Sequence, residues 1–284
     1  MNSAKQTELQ KRVSGLLRAL KEPGGLGSLY HRFKNHLAQR LLLSLSITHG
    51  NKSGMQKSDG LPLPPPFLRE WVAGTDDLEW FLESGKRGVQ TIQSILQKHN
   101  IAFADLGSVL DFGCGCGRVL RHLHRYTSVH LHGSDINRSA ITWCDENLDF
   151  AEFGTNRLAP PTRYRPGSFG LIYAFSVFSH LTEPLQSAWI REMHRILKTG
   201  GYLLMTVHGD YYLEEIPEAQ RADYKQGKLV VKGDKSAGRN ACAAYHPEQY
   251  VRNVLAREAG FEVIDFIPQG GLGNPYQDAY LLQA

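Results

Sequence analysis

Gly113, Gly115 and Gly117 stand at alternate positions in Val109-Leu-Asp-Phe-Gly-Cys-Gly-Cys-Gly-Arg118, after an apolar run and before a segment with helical spacing. Without a β-carbon, a backbone can fold tightly and come close to a ligand, so this pattern suits a loop that wraps a nucleotide-like molecule. Asp111 precedes the loop, and Asp135 closes the next apolar run in His132-Gly-Ser-Asp-Ile. A carboxylate at a strand end can accept hydrogen bonds from both hydroxyls of a ribose. Nicotinamide enzymes share that acidic residue but space their glycines as G-x-G-x-x-G, whereas this chain has G-x-G-x-G, with Arg118 where the last glycine would fall.

A second set of reactive side chains comes later. His208 and Asp210 follow the apolar run 202–207, and Tyr245 and His246 precede a helix opened by Pro247. Histidine accepts protons near neutral pH, so His208, His246 and Asp210 are the candidates for taking a proton from, or orienting, a reacting group, with His208 first. The alternative for each is a capping or loop-bonding side chain. His180, in Ser176-Val-Phe-Ser-His-Leu, is expected to be structural. Cys114 and Cys116 lie one residue apart inside the glycine loop, poor geometry for a four-ligand zinc site, so no metal is expected.

Alternating strands and helices must position these groups. Strands are predicted over 108–112, 128–134, 151–155, 169–175 and 202–207, with helices over 76–98, 117–126, 138–147, 184–198 and 247–259. The helix 184–198 has Thr182 as its expected cap, Pro184 in its first turn and Gly200-Gly201 to stop it. Two closing strands, 261–267 and 276–283, are joined by a link too short for a crossover helix and should pair antiparallel at or near a sheet edge. Ahead of this body the spacing predicts an amphipathic helix over 5–20, a second over 28–47, and a Gly/Pro-rich linker over 50–66. The division expected is 1–66 and 67–284, with an inserted segment at 209–244.

Over residues 65–284 the chain resembles the class I S-adenosylmethionine-dependent methyltransferase family, through the 111–117 loop, Asp135, the strand Phe169-Gly-Leu-Ile-Tyr-Ala-Phe-Ser, the run Leu197-Lys-Thr-Gly-Gly201 and the closing hairpin. The resemblance implies an α/β fold: a Rossmann-like, doubly wound, mainly parallel seven-stranded sheet with an antiparallel C-terminal hairpin, here with added N-terminal helices. It implies S-adenosylmethionine as cofactor. Asp111, with Phe112, Gly113, Cys114, Gly115 and Gly117, would surround its methionine part. Asp135 and Ile136 would take ribose and adenine, Asn156 the adenine, and Phe175 and Ser176 the floor. Asn156 replaces an Asp frequent in the family, and Gly170 another; the second change leaves the loop untouched.

Within that family the Phe-Gly-Cys-Gly-Cys-Gly-Arg loop, the Ser-Val-Phe-Ser-His-Leu run and the Gln277-Asp278 pair look like bacterial enzymes that methylate small molecules, sugars or natural products, on oxygen or nitrogen. The 209–244 insertion and the N-terminal helices are expected to form a lid. The acceptor class is less decided than the cofactor. Residues 1–60 carry ten Lys/Arg against three Asp/Glu within a net charge of +4, which keeps RNA or another anionic polymer open as substrate. Against it, Ala174-Phe-Ser-Val-Phe stands where base-modifying relatives have Asn/Asp-Pro-Pro-Tyr/Phe. A non-catalytic binding module is disfavoured by the intact loop and Asp135, and a nicotinamide oxidoreductase by the spacing and the hairpin. Four cysteines without a Cys-x-x-Cys pair and no long apolar stretch lead to an expectation of a cytoplasmic protein without a transmembrane segment, with homodimerisation left open.

Overall fold

The computed structural model describes residues 57–284; the helices expected over 5–20 and 28–47 lie outside that range. A short hairpin, β1 (Lys57–Ser58) and β2 (Leu61–Pro62), leads into α1 (Pro66–Ala73) and α2 (Leu78–Lys98). The stretch 57–66 was expected as linker. Instead it is docked by Arg121, which is fully buried and donates to the Asp59 carboxylate at 3.1 Å and to the carbonyls of Leu61 and Pro62. A buried guanidinium without such partners costs several kcal/mol, roughly 3 to 5, so the core itself recruits this segment.

The sheet runs β3 (Ser108–Phe112), β4 (His130–Asp135), α3 (Arg138–Asn147), β5 (Ala151–Thr155), β6 (Phe169–Phe175), α4 (Glu183–Ile196) and β7 (Leu197–Val207). An insertion follows: a 3₁₀ turn at Asp210–Glu215, α5 (Glu218–Lys225), and the hairpin β8 (Val230–Lys232) with β9 (Ala243–Tyr245). The chain ends with α6 (Glu248–Tyr250, continuing as a π turn, Val251–Ala256), β10 (Glu262–Ile267) and β11 (Asp278–Gln283). The spatial order is β10-β11-β7-β6-β3-β4-β5. Strands β3 to β7 are parallel and β11 is antiparallel to both neighbours, which puts the C-terminal hairpin at the edge, with β10 outermost.

Chain order reverses between β3 and β6, and in such sheets the crevice at the carboxyl ends of the two central strands is where ligands settle. Apolar residues alternate along the strands into two cores. Val109, Leu171, Tyr173 and Leu204 pack under α2 and α3, whereas Leu110, Ile172, Leu203 and Met205 pack under α4 and α6.

Three expected elements differ. The helix over 117–126 is only a 3₁₀ turn, Leu120–Leu123. Its apolar spacing fits either winding, and the choice falls to Arg118 and Arg121, whose buried guanidiniums reach partners in the 273–274 loop and the β1–β2 hairpin respectively. Helix α4 stops at Ile196 and passes straight into β7, so Gly200-Gly201 does not end it. Gly200, with φ 75, instead turns its amide to the Ala284 carbonyl at 2.7 Å and fastens the C-terminus. Thr182 occupies the cap position of α4 without a capping side-chain bond. The helix over 247–259 widens into a π turn after one α turn, with Arg252 bonded to Glu248 at 2.6 Å across it.

Candidate active site

The 113–117 loop lies at the crevice, and its backbone does more inward work than its composition suggests. The amides of Gly113 and Cys114 both donate to the Ser134 carbonyl, at 2.7 and 3.1 Å, and the Gly115 amide donates to Asp135 Oδ2 at 2.8 Å. The loop is thus stitched to the end of β4, and the glycines act mainly through shape. Gly113, Gly115 and Gly117 have φ of 82, 54 and 78. A β-carbon on Gly115 would meet Val72 at 2.2 Å and one on Gly113 would meet Val177 at 2.3 Å, so neither strain nor space admits a side chain. Phe112 turns away and packs its ring on Trp189 at 4.6 Å, leaving only its backbone toward the loop. Cys114 is buried beneath the loop, and Cys144 approaches the same Gly115 carbonyl at 3.7 Å.

Two carboxylates underlie the loop. Asp111 is buried, and desolvation pushes its pKa up to about 7 against the opposing pull of the Tyr173 hydroxyl and then of the Arg118 guanidinium. Asp135 is also pushed up by burial, although its Oδ1 accepts from the Asn137 amide at 2.7 Å. Each carboxylate oxygen has lone pairs beyond the ones these amides use. Buried carboxylates whose charged form is disfavoured by desolvation suit a ligand that brings positive charge and hydroxyl donors. S-adenosylmethionine has both, a sulfonium and an ammonium at one end and a ribose diol at the other. Ile136, exposed next to Asp135, offers an apolar surface for a flat base. Asn156 is held by two bonds, its Oδ1 accepting from Ser134 Oγ at 2.9 Å and its Nδ2 donating to the Arg157 carbonyl at 2.8 Å, which leaves one N–H and one lone pair free.

Across the crevice, Phe175 lies against Gly88 of α2, and Ser176 leaves β6 with φ 59. A non-glycine residue in that region is strained and needs support. The support is a closed ring of hydrogen bonds: the Ser176 amide donates to Thr206 Oγ1 at 3.0 Å, Thr206 Oγ1 to Gln277 Oε1 at 2.7 Å, and Gln277 Nε2 to Ser176 Oγ at 2.8 Å. Ends of β6, β7 and β11 are joined through it.

The later candidates separate. His208 lies near Tyr212, Tyr245 and His180, with ring centroids at 4.3, 5.7 and 6.1 Å, and its Nδ1 has no protein partner. Burial, then His180, pulls its pKa down to about 4, so the ring is neutral at pH 7. His246 is sealed in the core. Its Nε2 faces Gln186 Oε1 at 3.0 Å, while the Gln186 amide donates to the Phe178 and Leu181 carbonyls, so Nε2 must be the donor. Burial, and then His208, pull His246 down to about 3. Asp210 is exposed and accepts from the Tyr224 hydroxyl at 2.8 Å.

Sequence reasoning used the Gln277-Asp278 pair only as a family likeness and assigned no site role to it or to Thr206. Asp278 opens β11, accepts from the Gln269 amide at 2.8 Å, and is pushed up to about 6 by burial. Gly209 is required beside it, since a β-carbon there would lie 1.7 Å from Asp278 Oδ2. The available signal was a Gln-Asp pair at the head of an otherwise apolar strand.

With this geometry in hand, comparison with known proteins gives a class. A methyltransferase domain model matches residues 81–265, and the chain belongs to that family. The fold is shared with an S-adenosylmethionine-dependent methyltransferase from Methanosarcina mazei, with 19% identity and a TM-score of 0.50 over 66% of this chain and 96% of that one. It is also shared with the Burkholderia thailandensis 1,6-didemethyltoxoflavin-N1-methyltransferase, solved with 1,6-didemethyltoxoflavin and S-adenosylhomocysteine, with 14% identity and a TM-score of 0.52 over 83% of this chain and 97% of that one. This protein is an S-adenosylmethionine-dependent methyltransferase of class I fold. Among the described residues no helix is long and apolar enough to cross a membrane.

Proposed function

We propose that this enzyme methylates an oxygen or nitrogen of a small-molecule acceptor of natural-product or sugar type, and not a nucleic acid. The observation that carries this reading is the acidic first half of the insertion beside the acceptor side; over 209–244 as a whole six Asp/Glu stand against six Lys/Arg, four of the cations in the second half. Residues 209–226 hold five Asp/Glu (Asp210, Glu214, Glu215, Glu218, Asp223) against Arg221 and Lys225, and both cations are on a helix whose Arg221 is already paired with Glu214 at 3.0 Å. A polyanion would meet carboxylates there. Next to them the half-exposed rings of Tyr211 and Tyr276 stack at 4.0 Å, a surface suited to a ring-bearing molecule.

Asp111, Asp135, Ile136, the 113–117 loop, Phe175 and Ser176 would hold the cofactor, with Asn156 at the adenine end. Bound S-adenosylmethionine supplies a methyl group made electrophilic by the cationic sulfur. The chain's own contribution is placement: the nucleophile must be held in line at about 3 to 3.5 Å, which by itself lowers the barrier greatly. His208, neutral and half-buried just past the end of β7, is placed to accept a proton from an acceptor hydroxyl or to orient it. Asp278, titrating closer to neutral, is the stronger base of the two, while Asp210 holds Tyr224 in the insertion. His246 supports this end from the core. In this reading 67–284 is the catalytic body, extended by the docked 57–66 segment, and 209–244 is its lid.

The test is transfer of a radiolabelled methyl group from S-adenosylmethionine to hydroxylated aromatics, amino sugars and total RNA offered separately. Label in a low-molecular-weight product supports the proposal; label in RNA alone overturns it.

A further inference from the structure

The insertion's tip does not stay on the acceptor side. Residues 233–242 form a compact loop held by its own bonds, Ser236 amide to Gly233 carbonyl, Ala237 to Asp234, Arg239 to Ser236 and Cys242 to Arg239. Among the described residues, two hydrogen bonds join this loop to the sheet body, and both end on His180. The Gly238 amide donates to the His180 carbonyl at 2.7 Å, and His180 Nδ1 lies 2.7 Å from the Cys242 carbonyl. At this point the loop presses on the adenosine side of the crevice: a β-carbon on Gly238 would lie 2.7 Å from Leu158 and 3.6 Å from Ile136.

A carbonyl can only accept, so His180 Nδ1 must carry the proton, and in the neutral ring Nε2 is then an acceptor. Burial favours that neutral form. Nε2 lies 3.4 Å from Ser176 Oγ, the hydroxyl that Gln277 already fixes from the other side. One imidazole therefore touches the lid through one nitrogen and the strained end of β6 through the other.

We propose that His180 is a positioning residue that latches the 233–242 loop over the adenosine side of the cofactor and, through Ser176, ties that closure to the methyl-transfer end of the site. The proposal rests on the reading that places adenosine beside Asp135 and Ile136. A latch of this kind retains the cofactor while the acceptor is turned over, and it explains why an otherwise self-contained loop is fastened at a single residue.

The experiment follows S-adenosylhomocysteine dissociation and tryptic cleavage at the exposed Lys235 and Arg239 in the full chain, with and without that ligand. In the wild type, ligand should slow cleavage at both sites. His180→Ala should speed dissociation about tenfold, the equivalent of one lost hydrogen bond of ordinary strength, and abolish the protection. His180→Asn, which keeps an N–H near the Nδ1 position, should retain slow dissociation; a purely space-filling role would not separate Asn from Ala. Wild-type dissociation and protection in His180→Ala would overturn the latch. Should His180→Ala fail to fold, Gly238→Ala decides, because its β-carbon would press on Leu158 at 2.7 Å and lift the loop tip that His180 fastens while leaving the His180 side chain in place: faster dissociation supports the latch, an unchanged rate overturns it. Asp135→Ala is the control for the underlying reading: undiminished ligand affinity there removes the adenosine site, and the latch with it, whereas weakened affinity alongside unchanged Gly238→Ala kinetics removes the latch alone.

Discussion

The two ends of the crevice both bury ionisable groups, but with opposite consequences. At the end proposed for the cofactor the groups are carboxylates, Asp111 and Asp135, and burial raises their pKa values. At the end proposed for the acceptor they include the histidines His180, His208 and His246, and burial lowers theirs. The same desolvation therefore leaves one end short of positive charge and the other holding neutral bases. In the proposed reading a cation would complete the first end and a proton donor the second, which is the division that suits transfer from a sulfonium to a protonated nucleophile.

If this division is right, substitutions at the cofactor end should act on ligand binding and substitutions in the acceptor-end core on stability. The largest effect is expected for Asp135→Ala. It removes the ribose acceptor and the partner of the Gly115 amide, so calorimetric titration should find S-adenosylmethionine affinity reduced about a hundredfold or more, two charge-assisted bonds being involved. An affinity within twofold of wild type would break the assignment of this end.

His246→Gln comes next and should act on folding. In the folded protein His246 titrates at about 3, against about 6.5 when unfolded, so between those values the unfolded chain binds the extra proton and stability is lost as pH falls below about 6.5. Urea unfolding at pH 7 and pH 5 should show that the difference between the two stabilities shrinks by about 2 kcal/mol in the variant. S-adenosylhomocysteine affinity should not move.

Asp111 titrates in the opposite sense. Below about 7 the free protein holds a proton on Asp111 that a bound cation must displace, so S-adenosylmethionine affinity should rise with pH up to about 7 and then level off. Calorimetry at pH 6 in buffers of different ionisation enthalpy should detect proton release on binding. Asp111→Asn should abolish the release and cost about tenfold in affinity at pH 8. Release unchanged in the variant would assign the titration to another group.

The smallest effect is expected on the acceptor rim. Tyr212→Phe removes a hydroxyl that donates to the Pro275 carbonyl at 2.9 Å in an exposed setting, so thermal unfolding should register about 0.5 to 1 kcal/mol and cofactor affinity should stay within about twofold. A large loss of cofactor affinity here would mean that the two ends are coupled through the insertion.

Legibility in the sequence followed how local the determining physics is. The strand-loop-strand frame from β3 to β4, with Asp111, the glycines and Asp135, could be read directly, because alternating apolar residues and turn glycines act within a few neighbours. The same holds for α2, α3, β6 and the antiparallel closing pair. The 117–126 segment and the 57–66 linker were misread because buried arginines decide them, Arg121 in both and Arg118 in the first. A charged residue at a core position announces nothing about its partners, and for Arg121 they are Asp59 and two carbonyls sixty residues away. The histidines were legible as chemistry but not as places, since His208 at the crevice and His246 sealed behind it look alike in sequence.

By itself, then, the amino-acid sequence determined the sheet's grammar, the glycine loop after β3 and the class of reaction, all of which rest on short-range periodicity and on glycines whose backbone conformations exclude side chains. Only the tertiary structure decided which way the loop amides point, which histidine meets the crevice, and that Ser176, Thr206 and Gln277 form one ring. Those depend on desolvation and on hydrogen bonds between strand ends far apart in the chain, where burial sets the charge state and the fold alone determines which groups are buried together.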